Sequence, residues 1–272
     1  MKRALVLLAA PLLLLCSLAP TGRAAEPPAP AGMTVDDLEA LAFRSDATGL
    51  TLPYRLFVPR GYDPARKYPL LLFLHGAGER GTDNRRQTGN QALAWVQPTI
   101  QAGQPAFVVY PQCPEGTRWV DTDPRLGSYA LLDLPQSLPS RTALELLQAL
   151  RQRWSIDPDR ILVSGLSMGG YGGWDLALRF PDLLAGALLV CGAGDPSLAE
   201  RLRDLPVWAF HGSADPVVPV SGSREMIEAL RRVGGHPRYT EYPGVEHAAW
   251  ELALTDPEAL AWLLSRRRPG PC

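Results

Sequence analysis

Five short apolar runs, separated by polar stretches marked with glycine and proline, constrain the fold more than any other feature of this chain. They are residues 68–74 (YPLLLFL), 106–110 (AFVVY), 160–164 (RILVS), 185–190 (AGALLV) and 206–210 (PVWAF). A strand with one wet face would alternate apolar and polar residues, so runs of this kind read as strands covered on both faces of a parallel sheet. Residues 50–58 and 238–242 read as further strands. Between them, 138–153, 168–180 (stopped by Pro181), 221–233 (stopped by Gly234 and Gly235) and 257–266 read as helices. Strands alternating with helices predict an α/β fold, a mostly parallel central sheet with helices on both faces. With no internal repeat and no second linker, residues 50–272 are expected to form one catalytic domain, preceded by a linker and lead-in over 25–49. The long segment 111–139, rich in Pro, Gly and Asp, breaks the rhythm, and loops of that length are usually functional lids or disordered.

The first two dozen residues are of another kind. Lys2 and Arg3 are followed by an apolar run too short to span a bilayer and then by small residues ending at Ala24 and Ala25, the pattern of a secretory signal peptide over 1–24. The expectation is a secreted or periplasmic protein with no stable membrane insertion after cleavage. Leu15 before Cys16 argues against a lipid anchor there. Loss of Lys2, Arg3 and Arg23 would take the formal charge from -1 to -4. With 27 basic and 28 acidic residues and no basic block, nothing suggests a nucleic-acid partner. Cys113, Cys191 and Cys272 remain in the mature chain, an odd number with no metal-site spacing, and sequence does not say which of them pair.

Chemistry concentrates around Gly165-Leu166-Ser167-Met168-Gly169, a G-x-S-x-G motif placed where a strand ends and a helix begins. A sharp turn there pushes a serine hydroxyl out above the sheet, and the flanking glycines let strand and helix close around it. The bland alternative is a glycine-rich turn that binds an anion or merely packs. A serine nucleophile needs a base, and only four histidines exist. His75 and His211 each follow a strand and precede a glycine, which suits structural roles, and His236 stands in a Gly-His-Pro turn. His247 lies in a loop after the last strand and can reach across the strand ends. Two carboxylates could fix its tautomer, Asp215 and Asp195, both just after strands. Asp215 is preferred because its strand is nearer His247 in the chain. Oxyanion donors are expected from the backbone N–H of Met168, at a helix start, and of Ala77 in the loop Leu74-His-Gly-Ala-Gly-Glu-Arg-Gly81.

Together these segments resemble the α/β-hydrolase fold, and the branch holding feruloyl and acetylxylan esterases, dienelactone hydrolases and acyl-protein thioesterases. LHGAGERGTDN is especially similar to secreted esterases described as predicted peptidases related to prolyl oligopeptidases. The resemblance implies a Ser167, Asp215, His247 triad, an acyl-enzyme intermediate, and neither metal nor other cofactor. The expected function is hydrolysis of a small-molecule or polymer-borne carboxylic ester. The alternatives are a serine peptidase acting on short peptides and an inactive polymer-binding module. Glu79, Trp119 and Trp250 are candidate substrate contacts, with core packing the alternative for the tryptophans. For Glu79 and its neighbour Arg80 the alternative is a surface ion pair. The sequence does not give the oligomeric state.

Overall fold

The computed structural model of the chain describes residues 32–268; the leader read over 1–24 lies outside them, as does Cys272. Eight strands form one sheet in the order β1-β2-β4-β3-β5-β6-β7-β8. The strands are β1 (Glu39–Arg44), β2 (Thr51–Phe57), β3 (Tyr68–Leu74), β4 (Phe107–Pro111), β5 (Ile156–Leu166), β6 (Gly186–Val190), β7 (Val207–Gly212) and β8 (Arg238–Tyr242). Strands β1, β2 and β4 pair antiparallel, and every pairing from β4 through β3 to β8 is parallel. The helices are α1 (Pro98–Gly103), α2 (Leu138–Arg153), α3 (Met168–Arg179), α4 (Val220–Arg232), α5 (Trp250–Ala253) and α6 (Pro257–Leu264).

The continuous apolar strands serve two cores at once. In β3, Leu70, Leu72 and Leu74 face a core shared with Leu146 of α2, Trp174 of α3 and Ile227 of α4. Leu71 and Phe73 point the other way, into a core with Trp95, Leu260 and Leu263. Successive side chains of a strand alternate faces, so a strand covered on both sides has no position left for a polar residue.

Four elements depart from the expectation. The lead-in over 25–49 contains β1, an edge strand of the same sheet. Its exposed and half-buried residues Glu39-Ala-Leu-Ala-Phe-Arg44 lack the double-sided burial that marks the others. Strand β5 starts at Ile156, through Asp157-Pro158-Asp159, with an irregular register against Tyr68. The short helices α1 and α5 carry too few turns to show periodicity in sequence.

Strand order sets the position of the site. From β3 the chain moves to β4 on one side and then to β5 on the other, so the loops leaving β3 and β5 part in opposite directions. A crevice opens at the carboxyl ends of strands where the order reverses in this way. Ala77 and Ser167 stand on those two loops.

Candidate active site

Ser167 joins β5 to α3 with φ 53° and ψ −118°, a backbone conformation that non-glycine residues rarely adopt and that costs about 1–3 kcal/mol. Its N–H donates to Val190 O of the neighbouring strand at 2.8 Å, which fixes the turn from outside. The turn is tight enough that a Cβ at Gly165 would overlap the Gly169 backbone, and one at Gly169 would overlap the Leu74 carbonyl. The two flanking glycines are therefore required by space.

His247 Nε2 lies 2.9 Å from Ser167 Oγ, and its Nδ1 lies 2.7 Å from Asp215 Oδ2. The imidazole comes from the loop between β8 and α5, and its edge packs at right angles against the Trp250 ring, centroids 5.1 Å apart. Asp215 follows β7 in a turn whose own backbone binds it: Oδ1 accepts from the N–H groups of Val217 (2.8 Å) and Val218 (2.9 Å). Burial pushes this carboxyl up, but hydrogen bonds from His211, His247, Val218 and Val217 outweigh it and hold Asp215 well below the usual carboxylate range. A carboxylate held ionised in this way keeps the proton of His247 on Nδ1 and leaves Nε2 free to accept from the serine.

Ala77 and Met168 each open a helical turn, so neither N–H has a partner within its own turn, and both residues line the same pocket as Ser167. Behind Ala77 stands His75. Its Nδ1–H donates to Gly76 O at 2.6 Å and its Nε2 accepts from Cys113 N–H at 2.9 Å. That pair of bonds requires the neutral ring, and burial pushes its pKa down to about 4. His75 thus ties the Ala77 loop to the start of the 111–139 segment.

The three substrate-contact candidates fall in different places. Trp119 is fully buried, donates from Nε1 to His75 O at 3.0 Å and packs on the His75 ring, so it supports the Ala77 loop and does not line the pocket. Glu79 also lies outside the pocket lining; its Oε1 accepts from Asn90 at 2.7 Å and burial raises its pKa. Trp250 lies against His247 and is likewise outside the pocket lining. No ion pair joins Glu79 to Arg80 among the described residues, although their adjacency in sequence suggested one. Asp195, the competing carboxylate, is 5% exposed and occupied elsewhere: it caps the turn at Ser197 and accepts from Leu131 N–H at 2.8 Å.

His211 is the residue whose position the sequence least revealed. Fully buried, its Nε2 lies 3.2 Å from Asp215 Oδ2 and 3.1 Å from Val218 O, two acceptors, while Nδ1 faces Ser223 Oγ at 2.8 Å. Asp215 is therefore gripped by two imidazoles. Cys191 completes the group, with ligand atoms of Cys191, His211 and Asp215 within 4.8 Å of one another. These groups do not suit a cation. Burial pushes the Cys191 thiol up to about 12, its S–H donates to His247 O, and the Asp215 oxygens already accept from four N–H groups. Cys113 and Cys191 are free, buried thiols.

In front of Ser167 lies a pocket of about 120 Å³ walled by Val120, Pro124, Met168, Tyr171 and Val217, with Arg80 and Arg118 at its polar side. Four of its residues belong to the 111–139 segment, which is folded over the site and carries two short 3-10 turns. A family model described as phospholipase/carboxylesterase matches residues 57–258. The chain belongs to that family. It is accordingly a carboxylic ester hydrolase with the α/β-hydrolase fold, in agreement with its sheet of eight strands. Among solved structures of such esterases, a thermostable esterase is 41% identical with a TM-score of 0.80; the match covers 86% of this chain and 64% of that one, so the chain spans less than two thirds of that protein. Lysophospholipase-like protein 1 of Mus musculus is 27% identical over 72% of this chain and 86% of its own length. A ferulic acid esterase of Anaeromyces mucronatus, solved with ferulic acid, shares the fold at 18% identity and a TM-score of 0.57, covering 82% of this chain and 91% of that one.

Proposed function

We propose that this esterase works through an acyl-enzyme on Ser167. In this reading His247 takes the serine proton as Oγ attacks the ester carbonyl and returns it to the departing alkoxide; water then repeats the cycle on the acyl-enzyme. Asp215 holds the His247 tautomer and stabilises the imidazolium, and the N–H groups of Ala77 and Met168 receive the charge that develops on the carbonyl oxygen. The observation that carries the reading is the unbroken chain from Ser167 Oγ to His247 Nε2 (2.9 Å) and from His247 Nδ1 to Asp215 (2.7 Å) at the mouth of a pocket. The leader over 1–24 supports export, so the substrate is met outside the cytoplasm, as a small ester or one borne on a polymer. The test is turnover of p-nitrophenyl acetate by the wild type and by Ser167→Ala. The reading requires the variant to lose activity by at least a thousandfold, on the order seen when a nucleophile is removed, while keeping its circular dichroism. A folded variant with wild-type turnover would exclude Ser167.

A further inference from the structure

We propose that the pocket selects esters carrying an anionic group, a carboxylate or phosphate a few atoms from the scissile carbonyl; the inference rests on the ester-hydrolase reading of this site. Five arginines lie between Ala77 and Arg125. Arg85, Arg86 and Arg125 are each paired with an aspartate, Asp36 at 2.7 Å, Asp83 at 3.1 Å and Asp123 at 2.7 Å. Arg80 and Arg118 are the two that line the pocket with Ser167, and among the described residues neither has a carboxylate within ion-pair distance.

Both are nevertheless held in place. Arg80 Nε donates to Ala77 O at 2.8 Å and its Nη1 to Thr117 O at 3.4 Å, and Arg118 Nη1 donates to Thr122 O. Backbone carbonyls fix a guanidinium without neutralising it, and each fork keeps N–H groups to offer a ligand. Of the acids around them, Asp123 is bound by Arg125 at 2.7 Å and interacts with Arg118 only at longer range, Asp121 lines the adjoining outer cleft with Arg118 without an ion pair, and Asp215 is bound by its histidines and backbone. Apart from Thr122 and Ser167, the rest of the wall is apolar or has its polar atom engaged elsewhere. The Tyr171 hydroxyl is turned away toward Pro124 O (2.9 Å) and Gly127 O (3.1 Å), and Val120, Pro124, Met168 and Val217 supply carbon. A chain of net charge -1 thus offers, in the wall of a largely apolar slot, two arginines with no carboxylate at ion-pair distance among the described residues. Such an arrangement matches a substrate with an apolar body and a negative end.

The experiment compares matched esters with the full chain. One pair puts the anion on the acyl side, mono-p-nitrophenyl glutarate against p-nitrophenyl butyrate; the other puts it on the alcohol side, 3-carboxyphenyl acetate against phenyl acetate. The readout is the ratio of kcat/KM within each pair, so a general change in activity cancels. We expect a ratio favouring the anion by about tenfold in one pair, the effect of a single well-placed charged contact. The ratio should fall toward unity with added salt and in the Arg80→Gln, Arg118→Gln double variant. Which pair shows it tells whether the acyl or the alcohol part meets the arginines. Ratios near unity in both pairs, or a preference untouched by salt, would overturn the proposal, and the salt arm decides even if the double variant fails to fold. Absence of turnover with all four esters would instead overturn the ester reading itself.

Discussion

Replacing Asp215 by Asn should disable the site through a tautomer, and the structure says why. Oδ1 accepts from two backbone N–H groups, at 2.8 and 2.9 Å, so the amide oxygen of the new side chain takes that place. Its NH2 then occupies the position of Oδ2, 2.7 Å from His247 Nδ1. An NH2 donates, so Nδ1 must accept and the ring proton moves to Nε2, 2.9 Å from Ser167 Oγ. The imidazole can no longer take the serine proton, and the anion that stabilised the imidazolium is gone. Loss of both functions raises the barrier by about 4–5 kcal/mol, a fall in kcat of roughly 10³–10⁴. The new NH2 also faces His211 Nε2, 3.2 Å away in the parent, so a donor meets a donor and stability drops by about 1–3 kcal/mol. The assay is p-nitrophenyl acetate hydrolysis by wild type and variant at one common pH, beside a urea unfolding curve showing the variant folded at the assay temperature. Asp195→Asn serves as control: it loosens the Ser197 turn and the Leu131 contact, and kcat stays within about tenfold. A folded Asp215→Asn variant within tenfold of wild type, or an Asp195→Asn variant that loses as much, would refute the reasoning.

His75 should make stability depend on acid. Its pKa is pushed down to about 4 by burial against about 6.5 in the unfolded chain, so the stabilisation is complete above about pH 6.5 and falls by about 3 kcal/mol as pH drops toward 4; urea midpoints that do not move between about pH 7 and 4.5 would contradict this. Trp119→Phe removes the Nε1–H that Trp119 donates to His75 O and leaves a buried carbonyl unpaired, a loss of about 1–3 kcal/mol visible in Tm, with kcat falling more than KM because the Ala77 loop loosens. Cys113 and Cys191, whose thiols burial pushes up to about 12, should resist iodoacetamide in the native protein and react once guanidinium chloride unfolds it, as peptide mass mapping would show.

The sheet was legible because β3 to β7 are apolar on both faces, a pattern that few other arrangements produce. Edge strand β1 was not, since Glu39, Ala40 and Arg44 stand exposed and the strand buries too little to leave a signature. Ser167, Asp215 and His247 could be proposed from motif and chain order, and the structure brings them together. Proximity in sequence separates Asp215 from Asp195 only weakly; in the fold Asp195 is spent on Ser197 and Leu131, while Asp215 meets His247. Glu79, Trp119 and Trp250 could only be candidates for substrate contact, since nothing local tells whether a loop residue points into a cleft or beneath it; that depends on the paths of the loops around it. His211 could have been suspected from its spacing of four residues to Asp215 across a turn, but its contact with the carboxylate depends on how Asp215-Pro-Val-Val218 folds back. Arg80 and Arg118 are 38 residues apart and meet only in three dimensions.

Covalent acylation of Ser167 during ester hydrolysis is open to a direct test. A fluorophosphonate reacts far faster with a serine activated by its base and held beside oxyanion donors than with ordinary side chains, so mass mapping after complete inactivation reports the nucleophile directly. The expected result is one adduct per chain, on the peptide carrying Gly165-Leu166-Ser167-Met168-Gly169, with loss of activity in step with labelling. An active, folded protein that takes up no label, or one inactivated by an adduct on any other residue, would contradict it.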